Sequence, residues 1–446
     1  MTSTDEDVAA GVSHRGRNII SMLVAFAATT PGLYLRLTDT HIEPELAALL
    51  YGLAIVGSAF LLSWAAEVAQ LDISAGLAIA VLAFIAVLPE YAVDLVFARK
   101  GGNAFEQFGA SCQSPADAAA DLESSCSLAL ANMTGANRLL IGLGWTLVVF
   151  IAYWRFKGKG IRNEGVTLER SHSVELSYLA VATIYSLTLP LKRSITLFDA
   201  AILVSIFVAY TIRISRAPAE EPHLVGPATL LARLRTGQRR TAVILFFLFA
   251  ATVILLCAEH FAEALVETGE SFNISEFLLV QWLAPLASEA PELLVAGLFA
   301  WRLNTNAGLG TLVSSKVNQW TLLVGTLPIA FALSAGSLHG LPIVSTQREE
   351  LFLTAGQSVF AVAILINLTM SNKEALVLFT LFWAQFIIGA VVPEDLHAAE
   401  RIGVGVIYLV LGAYLIVRQV PRLKRLLRDG FRVPYSELAV DEGPAH

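Results

Sequence analysis

Charge is scarce in this chain: 15% of its 446 residues are Asp, Glu, Lys or Arg, against 56% that are hydrophobic. Together with a mean hydropathy of +0.65, this scarcity excludes an ordinary soluble globular protein. Long polar segments are missing too. The stretches 99–126 and 213–239 and the tail from 419 are too short to hold a soluble domain, so function must lie within the apolar runs. There are only three cysteines: Cys257 lies in an apolar run, while Cys112 and Cys126 share one loop. An oxidising compartment permits a disulfide there without requiring one. The chain has no HExxH pair, no nucleophile elbow and no cysteine beside a buried acid, which removes the motif grounds for an intramembrane enzyme. Nothing supports nucleic-acid binding, and no feature of the tails identifies a protein partner or a resident cofactor.

What the sequence does have is apolar runs long enough to span a bilayer, for which a helix needs ~20 residues. Twelve qualify, at 18–36, 45–69, 73–98, 127–154, 174–190, 195–212, 240–266, 274–301, 308–334, 351–370, 374–392 and 401–418. The expected fold is an all-α polytopic membrane protein with about 10–12 transmembrane helices. Residues 1–17 are polar, and the run after them lacks a small-residue cleavage site, so it reads as a retained anchor. Twelve crossings place both termini on one side. That side collects 21 of the 30 Lys and Arg residues, against 7 on the other. The positive-inside rule therefore puts both termini in the cytoplasm, with the bundle in the cell membrane. The basic runs 155–170 and 418–432 read most simply as topology determinants, with contact to anionic lipid as the alternative. Arg138 and Lys316 are the two cations that fall inside spans.

A proline-glutamate pair occurs twice within these runs, as Pro89-Glu90 and Pro291-Glu292. A carboxylate in hydrocarbon is costly, and proline removes a backbone donor, so each pair needs a compensating cavity, partner or ion. The segments align without gaps as PEYAVDLVFA (89–98) and PELLVAGLFA (291–300), after matching starts LDIS (71–74) and FNIS (272–275). A second duplicated element follows each, ALANMTGANRLLIGLGW (129–145) and GLGTLVSSKVNQWTLLVG (308–325). The two proline-glutamate runs are the third and eighth spans, so an odd number of crossings inverts one copy relative to the other. Inverted repeats that meet at broken helices are a secondary-transporter architecture.

This arrangement resembles the sodium/calcium exchanger superfamily of cation antiporters, whose two alpha repeats carry Gly-Thr-Ser-x-Pro-Glu and later Gly-Asn-x-x-Gly-Ser-Asn. The resemblance implies two inverted five-helix repeats with broken helices at the midplane. It divides the chain into an N-tail (1–17), an added helix (18–36), a first repeat (45–212), a basic linker (213–239), a second repeat (240–392), an added helix (401–418) and a C-tail (419–446). Carried over by position, the essential glutamates fall on Glu90 and Glu292. The hydroxyl positions become Ser288 and Glu289, the later serine Ser315 and the final ligand Gln319; a one-residue shift selects Ser314 and Asn318 instead. The first repeat departs from the pattern, with Ala86, Val87, Ala136 and Leu140 at the ligand positions, and leaves Asn132, Thr134 and Asn137 as polar candidates.

Glu90 and Glu292 read either as cation ligands or as hydrogen-bonding groups that close a proline break. Duplication favours cation ligands. Asp94 lies one helical turn after Glu90 and Glu289 one turn before Glu292, so each pair can share a face. Two acids this close in low dielectric do not both ionise without a cation, which suits a proton carrier. Arg138 and Lys316 neutralise Asp94 and Glu289 as buried pairs, or one of them serves as a built-in cation. Calcium takes six to eight oxygens, and the depleted hydroxyl set argues against coupling to several sodium ions. The expected activity is exchange of Ca2+ or Na+ for H+ by alternating access. A Ca2+/Na+ exchanger, and a channel-like or non-exchanging member, are the alternatives.

Overall fold

Apolar runs with few charges satisfy their backbone groups internally, and in this chain they do so as helices. The computed structural model describes residues 4–72, 88–116, 123–217, 224, 226–272 and 276–438. Among them nine helices are long and apolar enough to cross a membrane, and one bent pair makes a tenth. The expected run 73–98 is described from Leu88 onward, and the LDIS and FNIS starts lie mostly outside the described residues. The run 374–392 is helical as Asn372–Val391.

By its internal contacts the chain forms two compact units, 1–93 with 218–274, and 94–217 with 275–446. The first contains α1 (Thr4–Thr38) and α2 (Pro44–Ala69). Its third long helix is Thr236–Phe272, which packs along α2. Helices α1 and α2 approach closely through small residues: a Cβ on Gly57 would stand 2.5 Å from the Ala25 carbonyl oxygen. Beyond the end of α2, Asp72 accepts two hydrogen bonds of 2.7 Å from Arg239.

Helix α3 (Leu88–Phe108) crosses the division between the units. The second unit continues with α4 (Ser125–Leu139), α5 (Thr146–Gly158), α6 (Ser173–Ser186) and α7 (Leu197–Ile214). Numbering the Thr236–Phe272 helix α8, it resumes with α9 (Glu276–Trp301), α10 (Thr305–Asn318), α11 (Val324–Ser334), α12 (Ser345–Ile364) and α13 (Asn372–Val391). Helices α14 (His397–Arg418) and α15 (Val420–Arg432) complete it.

The second unit shows the repeat at a finer grain than the sequence does. Helices α4 and α5 are joined by a π-helical turn at Leu140–Trp145, and α10 and α11 by one at Gln319–Leu323. π turns are rare and concentrate at functional sites. Helices α7 and α13, each the last of its repeat, both open with a reciprocal capping box, Thr196 with Asp199 and Ser371 with Glu374. Four short strands record the inversion: β1 (Gly165–Thr167) follows α5, β2 (Ser194–Ile195) follows α6, β3 (Leu341–Pro342) follows α11 and β4 (Thr369–Ser371) follows α12. β1 pairs with β4 and β2 with β3, both antiparallel. The exit of α5 thus meets the exit of α12, one crossing later in its own repeat, so the two repeats run in opposite senses.

Cys112 and Cys126 form a disulfide that closes a 14-residue separation. Loop closure of this length is worth about 3 kcal/mol. The Cys112→Ser, Cys126→Ser variant should therefore unfold at a clearly lower temperature than the oxidised protein, and reductant should bring the native chain to the same midpoint.

Candidate cation site

Helix α9 carries the second proline-glutamate pair, and its two halves, Leu278–Ala290 and Glu292–Trp301, are bent by 56°. The residue between them is Pro291, which has no amide proton to give the preceding turn. The bend sets Glu289 at the end of one half and Glu292 at the start of the other, with carboxylate oxygens within 4.8 Å of each other. Gly135 lets α4 approach the first half closely: a Cβ there would lie 1.7 Å from the Gln281 carbonyl oxygen.

Helix α10 supplies the polar partners. The Ser315 hydroxyl donates to a Glu292 oxygen at 2.7 Å, and the Gln319 amide donates to Glu289. Ser314 faces elsewhere, sharing a 2.9 Å hydrogen bond with the Tyr210 hydroxyl of α7. Of the two registers left open by the sequence, the one with Ser315 and Gln319 meets the acids. Asn318 is buried, and its amide oxygen accepts no hydrogen bond among the described residues. Ser288 donates back to the carbonyls of Ala284 and Pro285, at 3.2 and 3.3 Å, so its proton stays within its own helix.

In the first repeat Glu90 occupies the first turn of α3 and is buried, as is Asp94. Asp94 accepts a 2.5 Å hydrogen bond from the Asn132 amide of α4. Thr134 donates to carbonyls of its own helix. Ala86 and Val87 lie outside the described residues.

Asn137 and Lys316 stand at equivalent places, each three residues before a π turn, and they meet. The Lys316 ammonium, fully buried, donates to both the backbone carbonyl and the side-chain oxygen of Asn137 at 2.6 Å. It also lies 5.3 Å from the Trp320 ring centroid. Lys316 therefore already holds oxygens that the sequence offered to a cation.

Arg138 is paired, but with Glu350 rather than with Asp94. The pairing expected from the repeat is corrected here: Asp94 is met by Asn132, while Arg138 turns toward α12 and α13. It also donates to Gln385 at 2.6 Å and lies 4.8 Å from the Trp282 ring. Glu350 further accepts from Gln281 at 2.9 Å and from Arg401 at 2.9 Å, and Arg401 reaches Glu349 at 3.1 Å. This network of two cations and two carboxylates is neutral in sum, which is how such charges persist under burial. Sequence reasoning missed Glu350, having begun its span at 351. The available signal was an acid at the boundary of an apolar run whose helix in fact starts at Ser345.

With this geometry in hand, comparisons with known proteins give a consistent picture. The profile of the sodium/calcium exchanger protein family matches residues 46–215 and 242–392. Among solved structures, the chain is similar to the H+/Ca2+ exchanger CAX, with 40% identity over 95% of this chain and 99% of that one and a TM-score of 0.83. It is also similar in fold to native YfkE, with 15% identity over 88% of this chain and 100% of that one and a TM-score of 0.54. No curated protein sequence matches significantly.

Proposed function

The chain belongs to the sodium/calcium exchanger protein family, and we propose that it exchanges Ca2+ for H+ across the membrane. It is a transporter and not an enzyme, a secondary active cation antiporter that works by alternating access. The observation that carries the choice of ions is the similarity to the H+/Ca2+ exchanger CAX along nearly the whole chain. The donor set agrees. Adjacent carboxylates at Glu289 and Glu292 suit one divalent cation or protons, and the first repeat, with Ala136 and Leu140 at ligand positions, offers few oxygens to several sodium ions. In this reading Glu90 and Glu292 are the principal carriers of the transported cation. Glu289, Asp94, Ser315 and Gln319 complete or support the oxygen set.

Lys316 acts as a resident cation on Asn137, taking oxygens that would otherwise serve a monovalent ion. Lys316→Ala is expected to alter proton coupling or the preference for Ca2+ over Na+ while leaving assembled protein. A variant that merely misfolds would remove support for this role. Both termini face the cytoplasm, as the 21-to-7 division of Lys and Arg supports; reporter fusions at each end test it.

The exchange itself is tested in proteoliposomes under an imposed pH gradient, with Ca2+ and Na+ supplied separately. The proposal expects Ca2+ accumulation that follows the gradient and collapses with a protonophore. Ion conductance without coupling would make the protein a channel, and Na+ moving in place of Ca2+ would change the substrate.

A further inference from the structure

From the groove between α6 and α7 and the basic helix that closes it, we infer that the protein holds one anionic phospholipid. Its acyl chain lies along the groove and its phosphate on the arginines of α15. The groove has a volume of about 430 Å3, within the ~300–1,000 Å3 typical of small-molecule sites. Tyr178 and Val181 of α6, Ile202, Ile206 and Ala209 of α7, and Phe431 of α15 line it. The Ser205 hydroxyl in its lining is satisfied within α7 by donating to the Ala201 carbonyl at 2.6 Å. The lining is otherwise mostly hydrocarbon.

The groove opens outward, with Val181 and Phe431 38% and 41% exposed. Its walls are membrane-spanning helices, so the medium it opens to is lipid. The outer end is different in character. Helix α15 begins two residues after the spanning helix α14 ends at Arg418, which puts it at the level of the headgroups.

Helix α15 is fastened in place rather than loosely apposed. Asp429 accepts from Arg170 at 2.8 Å, Ser177 donates to the Leu426 carbonyl at 3.2 Å, and Arg213 donates to the Gly430 carbonyl at 3.0 Å. Gly430 is required for this contact, since a Cβ there would stand 2.1 Å from the Ser177 hydroxyl. Phe431 consequently meets Tyr178 edge-on, with ring centroids 5.1 Å apart, and both line the groove.

The cations on this helix outnumber its acids. Arg422, Lys424, Arg425, Arg428 and Arg432 are exposed, and Asp429 is the helix's one acid. Arg170, Arg425 and Arg428 all turn to that single carboxylate. Arg425 and Arg428 nonetheless stay 67% and 61% exposed. An apolar groove beneath surplus arginines at a membrane surface is complementary to an acyl chain joined to a phosphate.

The test is lipid retention by the full-length protein. Purified protein is equilibrated with equal phosphatidylglycerol and phosphatidylcholine, and bound lipid is read by native mass spectrometry. The wild type is expected to keep one phosphatidylglycerol in preference to phosphatidylcholine. Arg428→Gln and Arg432→Gln should each lower that preference about five-fold, the effect of one basic residue near the membrane surface. Ala209→Trp, which fills the groove, should lower retention of both lipids. If that variant fails to assemble, Ile206→Trp and displacement of bound lipid from the wild type by added phosphatidylglycerol read the same site. Equal retention of the two lipids by the wild type would overturn the inference. So would retention unaffected by filling the groove, or a dimer mass with no lipid bound.

Discussion

Glu292→Gln is expected to weaken Ca2+ binding at least roughly a thousandfold, because even two unit charges 4 Å apart at an effective dielectric of 20 are worth about 4 kcal/mol, and Ca2+ carries two. The substitution is isosteric, and the amide oxygen can still accept from Ser315, which now donates at 2.7 Å. The loss therefore reports charge and not shape. Titration calorimetry with Ca2+ measures it, and unfolding of the same sample shows whether the bundle is intact. Glu289→Gln should cost less if Glu292 is a principal ligand and Glu289 a supporting one. Equal affinities for wild type and Glu292→Gln would remove this glutamate from the site.

The second large effect is on stability and concerns Glu350. This carboxylate is the anion of Arg138 and is shared with Arg401. Glu350→Leu takes from the buried Arg138 guanidinium its ion-pair partner, and breaking a buried pair costs about 3–5 kcal/mol. Arg138→Leu should cost less, because Glu350 keeps Arg401 at 2.9 Å and Gln281 at 2.9 Å. The double variant should recover most of what Glu350→Leu loses, since it leaves no cation stranded. Thermal unfolding of the three proteins in one detergent decides it. A larger loss from Arg138→Leu than from Glu350→Leu would show that the network is organised around the arginine.

The contrast between these two sites explains what could be read from the sequence. Glu90 and Glu292 were legible because a proline-acid pair is duplicated within apolar runs, and burial makes each such acid conspicuous. Ser315 and Gln319 followed from repeat spacing, although only the orientation of α10 separates them from Ser314 and Asn318. The partner of Arg138 was not legible. It lies 212 residues away on a helix outside the duplicated motifs, and no local pattern reports so distant a contact. The same holds for Asn137 and Lys316, equivalent positions that meet across 179 residues.

The π turns were also hidden, since LIGLGW and QWTLL share no composition that distinguishes them from α-helix. They nevertheless fall at matching places, three residues beyond Asn137 and Lys316, and so mark the repeat more sharply than side-chain identity does. The strand pairs that record the inversion are two or three residues long. Segments this short carry no periodicity to read.

Calcium-driven proton movement tests the central claim most directly. Wild-type protein and the Glu90→Gln, Glu292→Gln variant are reconstituted side by side, with a pH-sensitive dye inside the vesicles and Ca2+ added outside. The account predicts that Ca2+ entry through the wild type expels protons and alkalinises the lumen, and that the double variant, folded and inserted, leaves the pH unchanged. Calcium entry without proton movement in the wild type, or full exchange by the double variant, would contradict it.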